Sequence, residues 1–151
     1  HLQSNSANYL SNTWNKVAAE LQICFSDFDS NPSTNWVVYA DVLHDVNAAG
    51  RLGAGRLGLT MMPRQDLEGL GGQKCVVTDE GSNYCATQLR WVGGLGHELG
   101  HSFGLPHPPG CDLGLASCDS NALMWAGYAD YPNTYWREDD KASLLMSKFF
   151  R

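Results

Sequence analysis

Apolar residues recur at helical spacing near the start of the chain. From about Ser6 to Phe25, the positions Leu10, Trp14, Val17, Ala18, Leu21, Cys24 and Phe25 fall at offsets of 0, 4, 7, 8, 11, 14 and 15. That is the stripe of an amphipathic helix lying on a core. Phe28 to Thr34 carries turn chemistry, with Asn31-Pro32 at its centre. Trp36 to Leu43, rich in Val, Trp and Tyr, predicts a buried strand. Gly50 to Gly58 reads as a mobile, glycine-rich connector, and Arg56 to Met62 as a second strand stopped by Pro63. A phosphate-cradling role for the glycines fails, because the stretch lacks a Gly-Lys-Ser/Thr ending and no helix signal follows it. Gln65 to Leu70 suits a short helix or turn. Lys74 to Thr78 and Asn83 to Gln88 flank Asp79-Glu80-Gly81-Ser82, which predicts a hairpin. A helix then begins at Leu89 or Arg90 and runs through His97 and Glu98. Its Gly93, Gly94, Gly96 and Gly100 each lower intrinsic helicity by roughly 1 kcal/mol relative to Ala. Packing must therefore hold it, and small residues let neighbouring backbone approach closely. Arg137 to Phe150 predicts a last helix, with Glu138, Asp139 and Asp140 in its first turn and Lys148 in its last, a polarity that suits the helix dipole. Leu144, Leu145, Met146, Phe149 and Phe150 are its expected apolar contacts. The order of elements predicts an α+β fold, a small mixed sheet backed by helices.

Length and charge narrow the function classes. The 151 residues suit one domain with a sizeable core. A net charge of −6 argues against nucleic-acid and anionic-membrane partners, which would want a basic face. No apolar run approaches the roughly 18 residues of a spanning helix. The five cysteines, Cys24, Cys75, Cys85, Cys111 and Cys118, lack the C-x-x-C spacing of a thiolate metal site. Proximity alone suggests Cys75–Cys85 and Cys111–Cys118 as disulfides, although four cysteines allow three connectivities. Cys24 belongs to the first helical stripe and reads as a buried free thiol. Disulfides would place the protein outside the cytosol.

The candidate chemistry lies at His97-Glu98-Leu99-Gly100-His101-Ser102-Phe103-Gly104-Leu105-Pro106-His107. On a helix, His97 and His101 sit one turn apart on one face, roughly 6 Å along the axis, and can offer nitrogens to one ion. Glu98 follows the first ligand, where a carboxylate can take a proton from a water at the metal. Gly104 can adopt the left-handed conformation that ends a helix and turns the chain. His107 then returns as a third ligand, with Pro106 stiffening the approach. Three neutral imidazoles leave the fourth position of a tetrahedral zinc open, the arrangement of a catalytic site.

At these residues the chain resembles the metzincin clan of zinc endopeptidases, whose extended motif is H-E-x-x-H-x-x-G-x-x-H. The resemblance covers roughly Leu89 to Phe150. It implies a Met-turn beneath the ligands, and Met124, in Ala122-Leu123-Met124-Trp125, stands where a matrixin-like Met-turn would fall. It also implies one catalytic domain over residues 1–151 with a small mixed twisted sheet, an N-terminal subdomain of about 1–104 and a C-terminal one of about 105–151. The implied activity is hydrolysis of peptide bonds through a zinc-activated water, with Glu98 as general base. The substrate would be a protein or peptide lying extended along a sheet edge, and the enzyme a secreted monomer whose signal and pro-segment have been removed. Tyr128, just after Met124, is a candidate substrate contact. It stands four residues beyond the methionine, not the two at which astacins and serralysins place a zinc-directed tyrosine. Upstream of the motif only His1 and His44 are available, too few for a matrixin's second, structural zinc. Asp41, Asp45, Asp66 and Glu68 could bind calcium, but no 12-residue calcium loop is present and solvated carboxylates are the simpler expectation. Two rivals stay open: a zinc-retaining recognition module without turnover, and a protease restricted to glycosylated proteins.

Overall fold

A computed structural model describes residues 15–22, 33–40, 54–56, 58–77 and 83–150. The chain forms two compact units, His1–Thr34 and Asn35–Arg151. In the first, residues 15–22 are helical (α1), with Val17, Ala18 and Leu21 half-buried and Asn15, Lys16, Ala19, Glu20 and Gln22 exposed. That is the expected stripe over the part of the predicted helix that can be seen. Cys24, the turn at Phe28 to Pro32, His1, His44, Asp41 and Asp45 lie outside the described residues.

The second unit is mixed α+β. Strands β1 (Trp36–Ala40), β2 (Ala54–Arg56) and β3 (Leu59–Pro63) form a three-stranded sheet in the order β1-β3-β2. β1 runs parallel to β3 from Trp36 opposite Leu59 to Ala40 opposite Pro63, and β2 pairs antiparallel with Gly55 opposite Thr60. Every residue of β3 is buried, as a central strand requires. Within the stretch predicted as a connector and then one strand over Arg56–Met62, residues 54–56 instead form an antiparallel partner of β3, while residues 50–53 and 57 lie outside the described residues. Gly58, which immediately precedes β3, has a φ of +84°, a conformation open to glycine that lets the chain reverse there. Its backbone N–H is donated to Ser102 O, which ties the turn to the end of the long helix.

Helix α2 (Arg64–Leu70) follows β3 directly. The hairpin β4 (Cys75–Val77) and β5 (Asn83–Cys85) comes next, in the expected place, with Cys75 directly opposite Cys85 and the two joined by a disulfide. Helix α3 (Gln88–Ser102) packs against α2, β2 and β3. Trp91 is completely buried with Val76 and packs against Leu70 and Ala86, which fixes the start of α3 on the hairpin and α2.

Beyond α3 the chain is mostly turns. The Cys111–Cys118 disulfide closes one loop, and residues 122–125 lead into a 3-10 turn at Ala126–Asp130 that packs along α3. Helix α4 covers only Glu138–Met146, because Ser147 is extended at φ −66° and ψ 140°; a 3-10 turn at Lys148–Phe150 follows. The single predicted helix Arg137–Phe150 is corrected accordingly. The Ser147 hydroxyl donates to Phe103 O at 3.3 Å, and Phe103 meets the Phe149 and Phe150 rings at 5.7 and 4.9 Å. Leu145 and Met146 are 77% and 68% exposed, so they are not core contacts. Three consecutive helical residues cannot share one face, and only Leu144 turns inward. At the other end of α4, Asp140 accepts the Arg137 backbone N–H at 3.0 Å. No helix among the described residues is long and apolar enough to cross a membrane.

Candidate metal centre

His97 and His101 lie in the last two turns of α3, and His107 comes back to them after the helix ends. Gly104 makes the reversal: its φ is +97°, and its N–H caps His101 O at 2.9 Å. The chain then runs without regular structure to His107. His101 Nε2 stands 3.1 Å from His97 Nε2 and 3.1 Å from His107 Nε2. Among the described residues this is the one group of three or more metal-ligating side chains whose donor atoms converge, all within 4.8 Å of one another.

The opposite nitrogens decide what this convergence means. His97 Nδ1 donates to Leu123 O at 2.8 Å, His101 Nδ1 to Leu105 O at 2.8 Å, and His107 Nδ1 to an Asp112 carboxylate oxygen at 2.7 Å. Carbonyl and carboxylate oxygens only accept, so each Nδ1 carries a proton, and in the neutral tautomer that this selects the lone pair lies at Nε2. Three lone pairs facing one another cannot hydrogen-bond among themselves. A cation satisfies all three, and tetrahedral coordination with bonds of 2.0–2.1 Å would separate neighbouring nitrogens by roughly 3.3 Å, close to the spacing seen. Burial lowers the pKa of His97 to about 4, helped by the neighbouring histidines and Arg90, and burial likewise lowers that of His101. Both therefore stay neutral at physiological pH, as ligands must.

Around the nitrogens lie side chains from three segments. The Tyr128 ring meets His97 edge-on at 5.2 Å, and the Arg90 guanidinium sits 4.8 Å from the centre of the same tyrosine ring. The Trp125 ring stands edge-on to His107 at 4.9 Å. Met124 is fully buried, its sulfur pressed on Gly100, where a Cβ would overlap it. A Cβ at Gly93 would likewise overlap the Tyr128 carbonyl oxygen. Two of the four helix glycines thus let the 122–131 segment lie directly on α3, as the small-residue argument expects.

Glu98 turns to the sheet side. Its carboxylate accepts the Gly55 backbone N–H, and Thr60 Oγ1 donates to its main-chain oxygen at 3.4 Å. β2 comes so close to α3 here that a Cβ at Gly55 would overlap Glu98 O. Burial raises the Glu98 pKa to about 7, against the Gly55 hydrogen bond and the positive charge of Arg90. Asp66, on α2, is fully buried, and burial holds its carboxyl well above the usual carboxylate range. The expectation of a solvated carboxylate is therefore wrong for Asp66, because α2 turns it inward toward the charges of Arg90 and Glu98.

The structure thus brings together His97, His101, His107 and Tyr128, with Met124 packed behind them on Gly100. It contains both disulfides that proximity suggested, Cys75–Cys85 and Cys111–Cys118. Sequence reasoning missed Asp112, Trp125 and Arg90. For Asp112 the available signal was a carboxylate five residues past the third histidine, inside a loop bracketed by two cysteines. Comparison of the chain with models of known protein families, with curated proteins and with solved structures found no match.

Proposed function

We propose that this protein is a secreted zinc endopeptidase of metzincin type, with His97, His101 and His107 as zinc ligands and Glu98 as general base. The observation that carries the reading is the set of three Nε2 lone pairs, each fixed by an acceptor at its Nδ1, on a motif that places a glutamate beside the first ligand. Zinc bound there would act as a Lewis acid on a peptide carbonyl and lower the pKa of a water toward about 7.

The chain's own residues do the rest. Glu98 takes a proton from the attacking water and delivers it to the leaving amine. The Gly55 N–H holds the Glu98 carboxylate. Leu123, Leu105 and Asp112 keep the three imidazoles in the ligating tautomer. The buried Met124 supplies the floor of a Met-turn, and Tyr128, edge-on to His97, contacts the substrate. The substrate lies extended along β2, which among the described residues is an edge strand and runs against α3 at Glu98. Two disulfides support an oxidising, extracellular setting.

Metal analysis with a cleavage assay tests the reading. The purified protein should carry about one zinc per chain and cleave a denatured protein. A chelator should abolish cleavage, and stoichiometric zinc should restore it. Zinc binding without cleavage of either a denatured protein or a mucin-like glycoprotein would favour a recognition module. Cleavage of the glycoprotein alone would mark a glycoprotein-restricted protease.

A further inference from the structure

The three imidazoles are not held alike. His97 and His101 donate Nδ1–H to main-chain carbonyls, which no side-chain change can remove. His107 donates to the side chain of Asp112 at 2.7 Å. His107 is also the ligand with the least local support, since it lies beyond the turn at Gly104 in a segment without helix or strand. Trp125 braces one edge of its ring at 4.9 Å, and Asp112 alone fixes its Nδ1.

We propose that Asp112 is a positioning residue for the third metal ligand, presented to His107 by the loop that the Cys111–Cys118 disulfide closes. The inference rests on the metal-site reading given above. The loop is built to hold the aspartate's backbone while its side chain remains 68% exposed. Cys111 is buried, and its N–H is donated to Pro108 O at 3.1 Å. Leu113 and Leu115 N–H are both donated to Gly110 O, Gly114 N–H to Cys111 O, and Cys118 N–H to Leu115 O. Asp112 therefore stands at the start of a closed, internally bonded turn, five residues from its partner.

A carboxylate does two things a carbonyl does less well. It accepts the Nδ1 proton in a charge-assisted bond, and it raises the electron density at Nε2, making the ring a better donor to a cation. An exposed carboxylate paired with an imidazole adds little to folding itself, because water screens the pair. The contribution of Asp112 consequently belongs to metal affinity.

The zinc dissociation constant of the full chain, measured by competition with a chromophoric chelator, tests this beside the melting temperature of the zinc-free protein. Asp112→Ala should weaken zinc binding by about 10–100-fold, the usual weight of an outer-shell partner. Asp112→Asn, whose amide oxygen still accepts Nδ1–H but carries no charge, should fall between Asp112→Ala and wild type. Both zinc-free variants should melt within about 2 °C of wild type, as surface substitutions do. Wild-type affinity in Asp112→Ala would overturn the inference and leave the zinc endopeptidase reading standing. So would a loss of affinity matched by early melting of the zinc-free protein, since Asp112 would then be a folding residue. A wild-type chain that binds no zinc would sink both.

Discussion

Gly93 and Gly96 lie one helical turn apart on α3, yet Ala should act on them with opposite sign. Ala is intrinsically better than Gly inside a helix by about 1 kcal/mol. At Gly96 that gain is free to appear, because the nearest foreign atom to a new Cβ is Leu123 Cδ2 at 3.5 Å, an ordinary contact. Gly96→Ala should therefore stabilise by about 0.5–1 kcal/mol, a rise of roughly 1–4 °C in melting temperature. At Gly93 the new methyl would overlap the Tyr128 carbonyl oxygen and crowd Tyr131 Cβ. Main chain cannot rotate aside as a side chain can, so the 126–131 turn would have to lift from the helix. Overpacking of that kind costs about 1–3 kcal/mol; against a backbone atom the upper end applies. After the helix-propensity gain, Gly93→Ala should lose about 2 kcal/mol and roughly 4–8 °C. Because the same turn carries Tyr128 to His97, zinc affinity should fall with stability in Gly93→Ala and stay unchanged in Gly96→Ala. Calorimetry and chelator competition on the two variants read both effects. Equal stabilisation by the two alanines would refute the claim that Gly93 exists to seat the 126–131 turn.

Two further outcomes follow from neighbouring side chains. Tyr128→Phe keeps the ring that meets His97 and Arg90, so it should melt like wild type while its cleavage kinetics change. Tyr128→Ala should lose roughly 2 kcal/mol, half what a fully buried ring costs, and unchanged rates and preferences in both variants would return Tyr128 to a packing role. Asp66 supplies a pH signature, because burial raises its pKa in the folded state above that of the unfolded chain. Its neutral form stabilises the fold fully below the unfolded value of about 4, and that stability drains away as pH rises toward the raised value. Asp66→Asn cannot ionise, so thermal melts against pH should show a flatter profile above pH 4 than wild type; parallel profiles would contradict the assignment.

What was legible in the sequence was mostly local. The i, i+4 spacing of His97 and His101, the reversal at Gly104 and the return of His107 depend on one helix and one turn, and short loops made both disulfides readable from proximity. Interactions set by distant segments were not legible. β2 hides inside a glycine run because Gly55 answers to the backbone of α3, a demand that exists only after folding. Asp66 looked like a surface acid until α2 turned it inward. Asp112 has no periodic signature; only the path of the disulfide loop carries it to His107. Leu145 and Met146 are exposed because neighbouring positions of α4 point to different faces, which their apolar character alone does not reveal.

The central claim separates holding a metal from moving a proton, and Glu98→Ala tests it most directly when zinc content and turnover are measured on the same sample. The three Nε2 donors are untouched by this substitution, so the variant should retain close to one zinc per chain. Turnover on a denatured protein should drop by about 10²–10⁴, the weight of a positioned general base. Cleavage at the wild-type rate by the zinc-loaded variant would contradict the mechanism and leave the histidines as a binding site alone.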